Sequence, residues 1–268
     1  MSEPALLVER DGHIVTLTIN RPRFKNSMNP EVFCRLADAW EMINGDDEVR
    51  AVILTGAGGV FSAGADLSYT VRWRAGEPPQ DEFEARFRND MSVMWKGLLR
   101  DYRCNKALIA AVEGPCIAGG VEILESTDIR IAGEGATFGI SEVRWSVFPI
   151  AGSTVRLRRQ IPYTKAMELL LTGDHYPAAE ALQMGLIGRV VATGDALATA
   201  RKVAARVAAN GPLAVRGIKR AVQETDALPE KDALPIEFQI GMEVAMSEDA
   251  AEGPRAFVEK RVPQYKGR

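Results

Sequence analysis

Two carboxylates and two glycine-lined turns are the residues of this 268-residue chain whose types and spacing could do chemistry. In GPCIAGGVEILEST, residues 114–127, Gly119 and Gly120 stand ahead of Val121 and Glu122 inside an otherwise apolar run. Glycine weakens a helix, and a carboxylate buried without a partner is costly. At a helix start, however, bare backbone offers N–H groups with no partner inside the helix, and the helix dipole favours negative charge there. A similar turn lies in TGAGGVFSAGAD, residues 55–66, where Gly64 lets the chain bend tightly and leaves the Ala65 N–H free to point into a cavity. Two such donors converging on one oxygen form an oxyanion hole. Glu142, in FGISEVRW, follows Glu122 by twenty residues, room enough for a strand and a turn to return it beside the helix start. Two carboxylates near an oxyanion hole suit proton movement next to a carbonyl and need neither a metal nor a redox cofactor. Either glycine motif taken alone is equally an ordinary turn.

Other chemistries fit less well. Gly56 and Gly58 begin a G-x-G pattern after an apolar strand, but Phe61 stands where a dinucleotide fingerprint needs its third glycine. No phosphate-binding G-x-x-x-x-G-K-[ST] occurs. Cys34, Cys104 and Cys116 have no metal-like spacing and cannot all pair, which suits a reducing compartment, and His13 and His175 are isolated. The formal net charge of −3 argues against a nucleic-acid or anionic-membrane partner. No apolar run reaches the ~18 residues of a membrane span, and MSEPALLVER lacks the basic start and apolar core of a secretory leader. A cytoplasmic location is expected.

The elements that must position these groups can be read from periodicity. LLVER-DG-HIVTLTIN alternates around Asp11-Gly12, which predicts a β-hairpin. Asn29 and Pro30 predict a helix cap and first position, with Val32, Phe33, Leu36, Trp40 and Ile43 on one face and Gly45 at the end. Apolar AVILT (51–55) and LIAAV (108–112) predict strands, and DIRIA (128–132) a third. Strands alternating with helices around an antiparallel hairpin point to an α/β fold of ββα-like units. Beyond residue ~160 helices succeed one another: short ones at 164–171 and 177–185, longer ones at 195–210, 212–226, 234–247 and 249–262. Gly211-Pro212 divides a core, 1–210, from a C-terminal helical region, 211–268. The charged stretch 71–101, with Pro78-Pro79 in its middle, predicts either a solvated surface helix or a flap over a pocket.

Taken in order, LTINRPRFKNSMN, AVILTGAGGVFSAGADL, CNKALIAAVEGPCIAGGVEI, ATFGISEV, MELLLTGDHYPAAEALQMGLIGRVV and AFVEKR resemble the enoyl-CoA hydratase/isomerase (crotonase) superfamily over nearly the whole chain. The resemblance implies an α/β crotonase-like spiral of ββα units with C-terminal helices for trimer contacts, in a homotrimer or a dimer of trimers. It implies an acyl-CoA thioester substrate, with coenzyme A as part of the substrate and no separate cofactor. An enolate oxygen would be held by the N–H groups of Ala65 and Gly119. Arg23, Phe24 and Lys25 match a stretch that contacts CoA, Ala63 and Asp66 border its adenine side, and Lys260 matches a basic residue that reaches CoA in some members. Arg23, Lys25 and Lys260 are equally readable as solvated cations.

Hydratases of the superfamily carry glutamates at the places of Glu122 and Glu142, whereas many Δ3,Δ2-enoyl-CoA isomerases keep an acid only at the latter. Having both implies addition of water across a 2-enoyl-CoA, with Glu122 activating the water and Glu142 exchanging a proton at C2. The alternatives are an isomerase using Glu142 alone and a non-catalytic crotonase-fold binding protein, RNA-binding relatives included. Two departures stand out. Ile150, in FPIAGST, replaces a glycine whose backbone helps to seat the water. Glu125, Ser126, Arg144 and Trp145 are more polar or bulkier than is usual, and Trp145 is expected in the core or against a neighbouring subunit, or else shaping the acyl pocket.

Overall fold

The Asp11-Gly12 hairpin opens the larger of two sheets. In the computed structural model, which describes residues 3–268, β1 (Leu6–Asp11) pairs antiparallel with β2 (Ile14–Ile19), and Gly12 turns the chain at φ +55°. Met1 and Ser2, the start of the stretch read for a leader, lie outside the described residues. The later strands are β3 (Ala51–Gly56), β4 (Ala107–Val112), β5 (Pro115–Ile117), β6 (Ile129–Gly133), β7 (Thr137–Gly139), β8 (Tyr176–Pro177) and β9 (Arg189–Val191). The large sheet runs β1-β2-β3-β4-β6-β9 and is parallel beyond the hairpin; the small one runs β5-β7-β8.

The wholly apolar strands are apolar because both of their faces are covered. Alternate residues of β3 and β4 point to opposite sides. Val52, Leu54, Leu108 and Ala110 enter the main core, while Ala51, Ile53, Ile109 and Ala111 enter a second core.

The helices are α1 (Pro30–Gly45), α2 (Leu67–Arg74), α3 (Glu82–Asn89), α4 (Ser92–Gly97), α5 (Gly119–Leu124), α6 (Ser153–Gln160), α7 (Tyr163–Thr172), α8 (Ala178–Gln183), α9 (Ala196–Ala208), α10 (Pro212–Thr225), α11 (Glu230–Ala245) and α12 (Glu248–Val258). α1 follows the sequence reading: Asn29 Oδ1 accepts the Val32 N–H at 3.2 Å, and the five apolar residues of the expected face are buried. The second core is closed by Ala196, Ala200 and Ala204 of α9, whose small side chains let it lie close on the sheet.

Three stretches differ from their reading, the simplest being the last helix, expected to 262, which ends at Val258. The 71–101 region is broken into helices rather than continuous, and its Pro78-Pro79 lies in an exposed connection between α2 and α3. Its end is held down, because Trp40 of α1 donates Nε1–H to the Gly97 carbonyl at 3.0 Å, so α4 is a packed wall. α11 starts at Glu230, ahead of the expected 234, with Glu230 and Asp232 in its first turn favoured by the helix dipole and Pro235 taken inside.

Candidate active site

Three parallel segments end at one edge of the small sheet and deliver the site. Ser62 bridges to Cys116 of β5, and β5 pairs in parallel with β7. Just past these ends come Ala65, then Gly119 with Glu122 on α5, then Glu142 in a single 3-10 turn, Ser141–Trp145. Regions beyond the carboxyl ends of parallel strands are where α/β folds place their ligands.

The Ala65 N–H is left free by local pairing. Met28 N–H donates to the Gly64 carbonyl at 2.7 Å, and Asp66 N–H to the Met28 carbonyl at 2.9 Å. That parallel bridge uses residues 64 and 66, so the amide of Ala65 faces the opposite side, where Gly119 lies. Neither Ala65 N–H nor Gly119 N–H has an acceptor among the described residues. The approach is close. A Cβ on Gly64, which sits at φ +89°, would stand 2.7 Å from the Ala118 Cβ and 3.1 Å from the Gly119 nitrogen. A Cβ on Gly119 would lie 3.7 Å from the Ala65 nitrogen. Ala118, at φ 53° and ψ −123°, holds a conformation costly for a residue with a side chain. Its own N–H bonds the Gly139 carbonyl at 2.8 Å, which fixes the turn that aims Gly119. With only six residues, α5 adds little dipole, so the donors act as local N–H groups.

Glu122 and Glu142 line the same cavity, of about 190 Å³, with Ala65 and Gly119. Burial pushes Glu122 up to about 7 and nearby Glu142 adds to the shift, while N–H groups of Ala151 and Ser153 favour its charged form. Burial also pushes Glu142 up to about 7, and its Oε2 has no hydrogen-bond partner among the described residues. Two carboxyls brought together in a poorly hydrated place titrate as a pair. Near neutral pH such a pair can hold one proton and one charge, which is what a coupled acid and base require.

The walls are apolar. α4 and the residue after it contribute Met94, Trp95 and Leu98, so the 71–101 region borders a pocket, as the flap reading allowed, but does so with a packed wall. Ile150 lines the opening and is half exposed. Trp145 is not in the core of the chain but 67% exposed at the cavity rim, because it ends a 3-10 turn with Glu142 at its inner side.

The residues matched to CoA contacts divide. Ala63 lines the cavity, and its N–H bonds the Lys25 carbonyl at 2.9 Å, which ties the Arg23–Lys25 loop to the site. Arg23, Phe24 and Lys25 are exposed beside it, and Lys260 is exposed on the turn after α12 without lining the cavity. Asp66 is occupied within the chain: it caps α2 and pairs with Arg21 Nη2 at 2.9 Å. Sequence reasoning missed Arg21 and the buried Asn26, whose amide bonds the carbonyls of Ala57 and Val60 at 2.8 and 2.6 Å. Both lie in the quoted NRPRFKNSMN, where only the side chains facing outward had drawn attention.

The sequence model described as enoyl-CoA hydratase/isomerase matches residues 9–268. The chain belongs to the enoyl-CoA hydratase/isomerase family. It is similar to enoyl-CoA hydratase EchA19 of Mycobacterium tuberculosis, with 51% identity over 100% of this chain and 98% of that protein. It is also similar to the 2,3-dehydroadipyl-CoA hydratase of Escherichia coli, at 32% identity over 100% of both chains. Among solved structures, a putative enoyl-CoA hydratase/isomerase from Mycobacterium abscessus matches with a TM-score of 0.88 and 46% identity, covering 98% of this chain and 100% of that one. The α/β architecture expected for a crotonase-like chain is therefore the one found.

Proposed function

We propose that this protein is a 2-enoyl-CoA hydratase that works through a thioester enolate. The observation that carries the reading is the presence of two raised carboxyls, Glu122 and Glu142, in one cavity with the unpartnered N–H groups of Ala65 and Gly119. Glu122, ionised, accepts a proton from water as the water oxygen bonds to C3. The C2–C3 π electrons move toward the thioester, whose oxygen gains charge and is held by the two N–H groups. Glu142, protonated, delivers its proton to C2. The net change is one water added, and the pair returns to its starting state by exchanging a proton. The chemistry uses only carboxyls and backbone, with CoA belonging to the substrate and no separate cofactor. The names of the similar proteins support hydration in particular.

Ile150 favours a second reading, in which Glu142 alone shuttles a proton in a Δ3,Δ2-enoyl-CoA isomerase. Its branched side chain lines the cavity next in sequence to Ala151, whose N–H donates to Glu122 Oε1 at 2.7 Å, where a glycine would leave more room for a water. Residues 211–268 are proposed to make the contacts of a trimer or paired trimers, supported by Phe238 on α11, Met246 just after it, and Phe257 and Val258 on α12, which are 66–85% exposed. A location in the cytoplasm fits the three free, buried cysteines, and among the described residues no helix is long and apolar enough to cross a membrane. The deciding experiment incubates the protein with 2-enoyl- and 3-enoyl-CoA thioesters in oxygen-18 water and reads products by mass. Hydration incorporates labelled oxygen, isomerisation leaves the mass unchanged, and a silent panel would return the chain to the non-catalytic binding reading.

A further inference from the structure

Glu125 is a buried acid that the proposed hydration does not use. It caps the C-terminal end of α5, three residues after Glu122, with helical backbone angles, and is only 3% exposed. Its Oε1 accepts the Ser153 hydroxyl at 2.8 Å, and its Oε2 has no partner among the described residues. Arg130 and Gln160 donate to the backbone carbonyl of Glu125, at 3.0 and 2.8 Å, and not to its carboxyl. A half-satisfied buried carboxyl costs stability, so its presence calls for a compensating use.

What it holds is the entry to α6. Ser153 is the first residue of that helix and is fully buried. The turn before it contains Ala151, whose N–H reaches Glu122 Oε1, and Gly152 at φ +130°. The Ser153 N–H is a second backbone group favouring the Glu122 carboxylate. Glu122 and Glu125 are thus tied to the two ends of one three-residue turn. We infer that Glu125 is a positioning residue for Glu122: through Ser153 it fixes the turn into α6, and with it the N–H groups that orient Glu122 and set its affinity for a proton. The inference rests on Glu122 acting in the proposed reaction.

A neutral Glu125 performs this task without disturbing the acid pair. Burial pushes it up to about 8 and Glu122 adds to the rise, against Ser153, Arg130 and Arg156. The charged or titratable groups facing this corner are Glu122, Glu142, Cys116 on β5, Arg130 on β6 and Arg156 on α6. Glutamine in its place keeps an oxygen for Ser153, whereas methionine keeps only the volume.

The test follows the Glu122 carboxyl by carbon-13 NMR of glutamate-labelled protein, assigned with Glu122→Gln, alongside kcat and KM for hydration against pH. In Glu125→Met and Ser153→Ala, the Glu122 midpoint is expected to rise by about one pH unit as its N–H donors loosen. Turnover should fall by roughly 10-fold with KM within about twofold, since misplaced catalytic groups cost rate more than binding. Glu125→Gln should restore both. Wild-type midpoint and kcat in folded Glu125→Met and Ser153→Ala overturn the inference, and so does a Glu125→Gln as impaired as Glu125→Met. If Glu125→Met does not fold, Ser153→Ala decides, because it removes only a hydroxyl. If no thioester is hydrated by the parent protein, the functional reading fails, while the NMR midpoints still decide the positioning.

Discussion

The N–H of Ala151 donates to Oε1 of Glu122 across 2.7 Å, while Oε2 of the neighbouring acid, Glu142, has no partner among the described residues. The two carboxyls therefore differ although both are raised to about 7. The N–H bond to Glu122 favours its charged form, which fits the base of the proposed reaction, and the unpartnered Oε2 of Glu142 fits the acid. Glu122→Gln and Glu142→Gln are each expected to lower turnover on a 2-enoyl-CoA by at least ~100-fold, the lower range for a lost general base or acid. Affinity for a saturated acyl-CoA, measured by calorimetry, should change far less. If Glu142→Gln is dead and Glu122→Gln nearly fully active, hydration gives way to isomerisation.

The same burial makes the protein's stability depend on pH. Glu122, Glu125 and Glu142 have an ordinary value of 4.5 when unfolded and about 7, 8 and 7 when folded. Between these values the folded chain binds more protons than the unfolded one, so stability falls as pH rises, by up to about 1.4 kcal/mol per pH unit for each group. The benefit is complete below 4.5 and is lost as pH passes through 7 and 8. Melting temperature of the ligand-free protein should decline from pH 5 to 8, a slope that Glu125→Gln makes shallower. A flat curve over that window shows that the acids are not raised.

Much of this arrangement was legible before any coordinates. Alternation around Asp11-Gly12, the Asn29-Pro30 cap and the apolar strands reflect forces that act along a few adjacent residues, and each formed as read. The close approach of Gly64 to Gly119 was readable only as one of two readings of the glycine turns, since bare backbone suits an ordinary turn equally. Arg21–Asp66, Glu125–Ser153 and the α4 wall were not. Those contacts join segments 28 to 57 residues apart or hide three apolar side chains in a charged stretch, and no periodicity reports them. Trp145 illustrates the same limit: of the places open to it in the sequence, the core of the chain is excluded and the cavity rim is where the 3-10 turn puts it.

Exposed Arg23 and Lys25 stand on the loop tied to Ala63 at the cavity, so their effect should be confined to the distal end of CoA. Arg23→Ala and Lys25→Ala are expected to raise KM for a CoA thioester by about 3- to 10-fold, a modest loss typical of exposed charge pairs. With a thioester truncated to N-acetylcysteamine, both variants should match the parent. An equal loss on the truncated substrate would place these cations elsewhere in the mechanism.

Ile150→Gly tests the water site directly. The side chain lines the opening and lies next to the N–H that holds Glu122. Removing it should raise hydration if the isoleucine merely crowds the water, and the added backbone freedom should cost up to ~1 kcal/mol of stability. Rates compared on protein of matched folding, by circular dichroism, decide the matter; an unchanged or lower rate assigns Ile150 to a pocket shaped for another reaction.

Gly119→Pro is the most direct test of the oxyanion hole, because it deletes one donor whichever acid acts. Gly119 is the first residue of α5 and its φ lies outside the left-handed region, so a proline is compatible there in principle. Two local costs are foreseeable. The new Cβ would stand 3.0 Å from the Met28 methyl, the far end of a flexible side chain, and proline restricts Ala118, already at φ 53°. Gly119→Ala serves as the control, since it brings the same Cβ while keeping the N–H. Loss of one oxyanion donor costs on the order of 2.7–4 kcal/mol in the barrier, about 10²–10³ in rate. Gly119→Pro should therefore be slower than Gly119→Ala by roughly that factor. A saturated acyl-CoA should bind the two variants much more equally, because its neutral carbonyl gains less from the donor than an enolate does. Equal turnover in the two folded variants would mean that the enolate oxygen sits elsewhere, and the roles given to Ala65 and Gly119 would fall together.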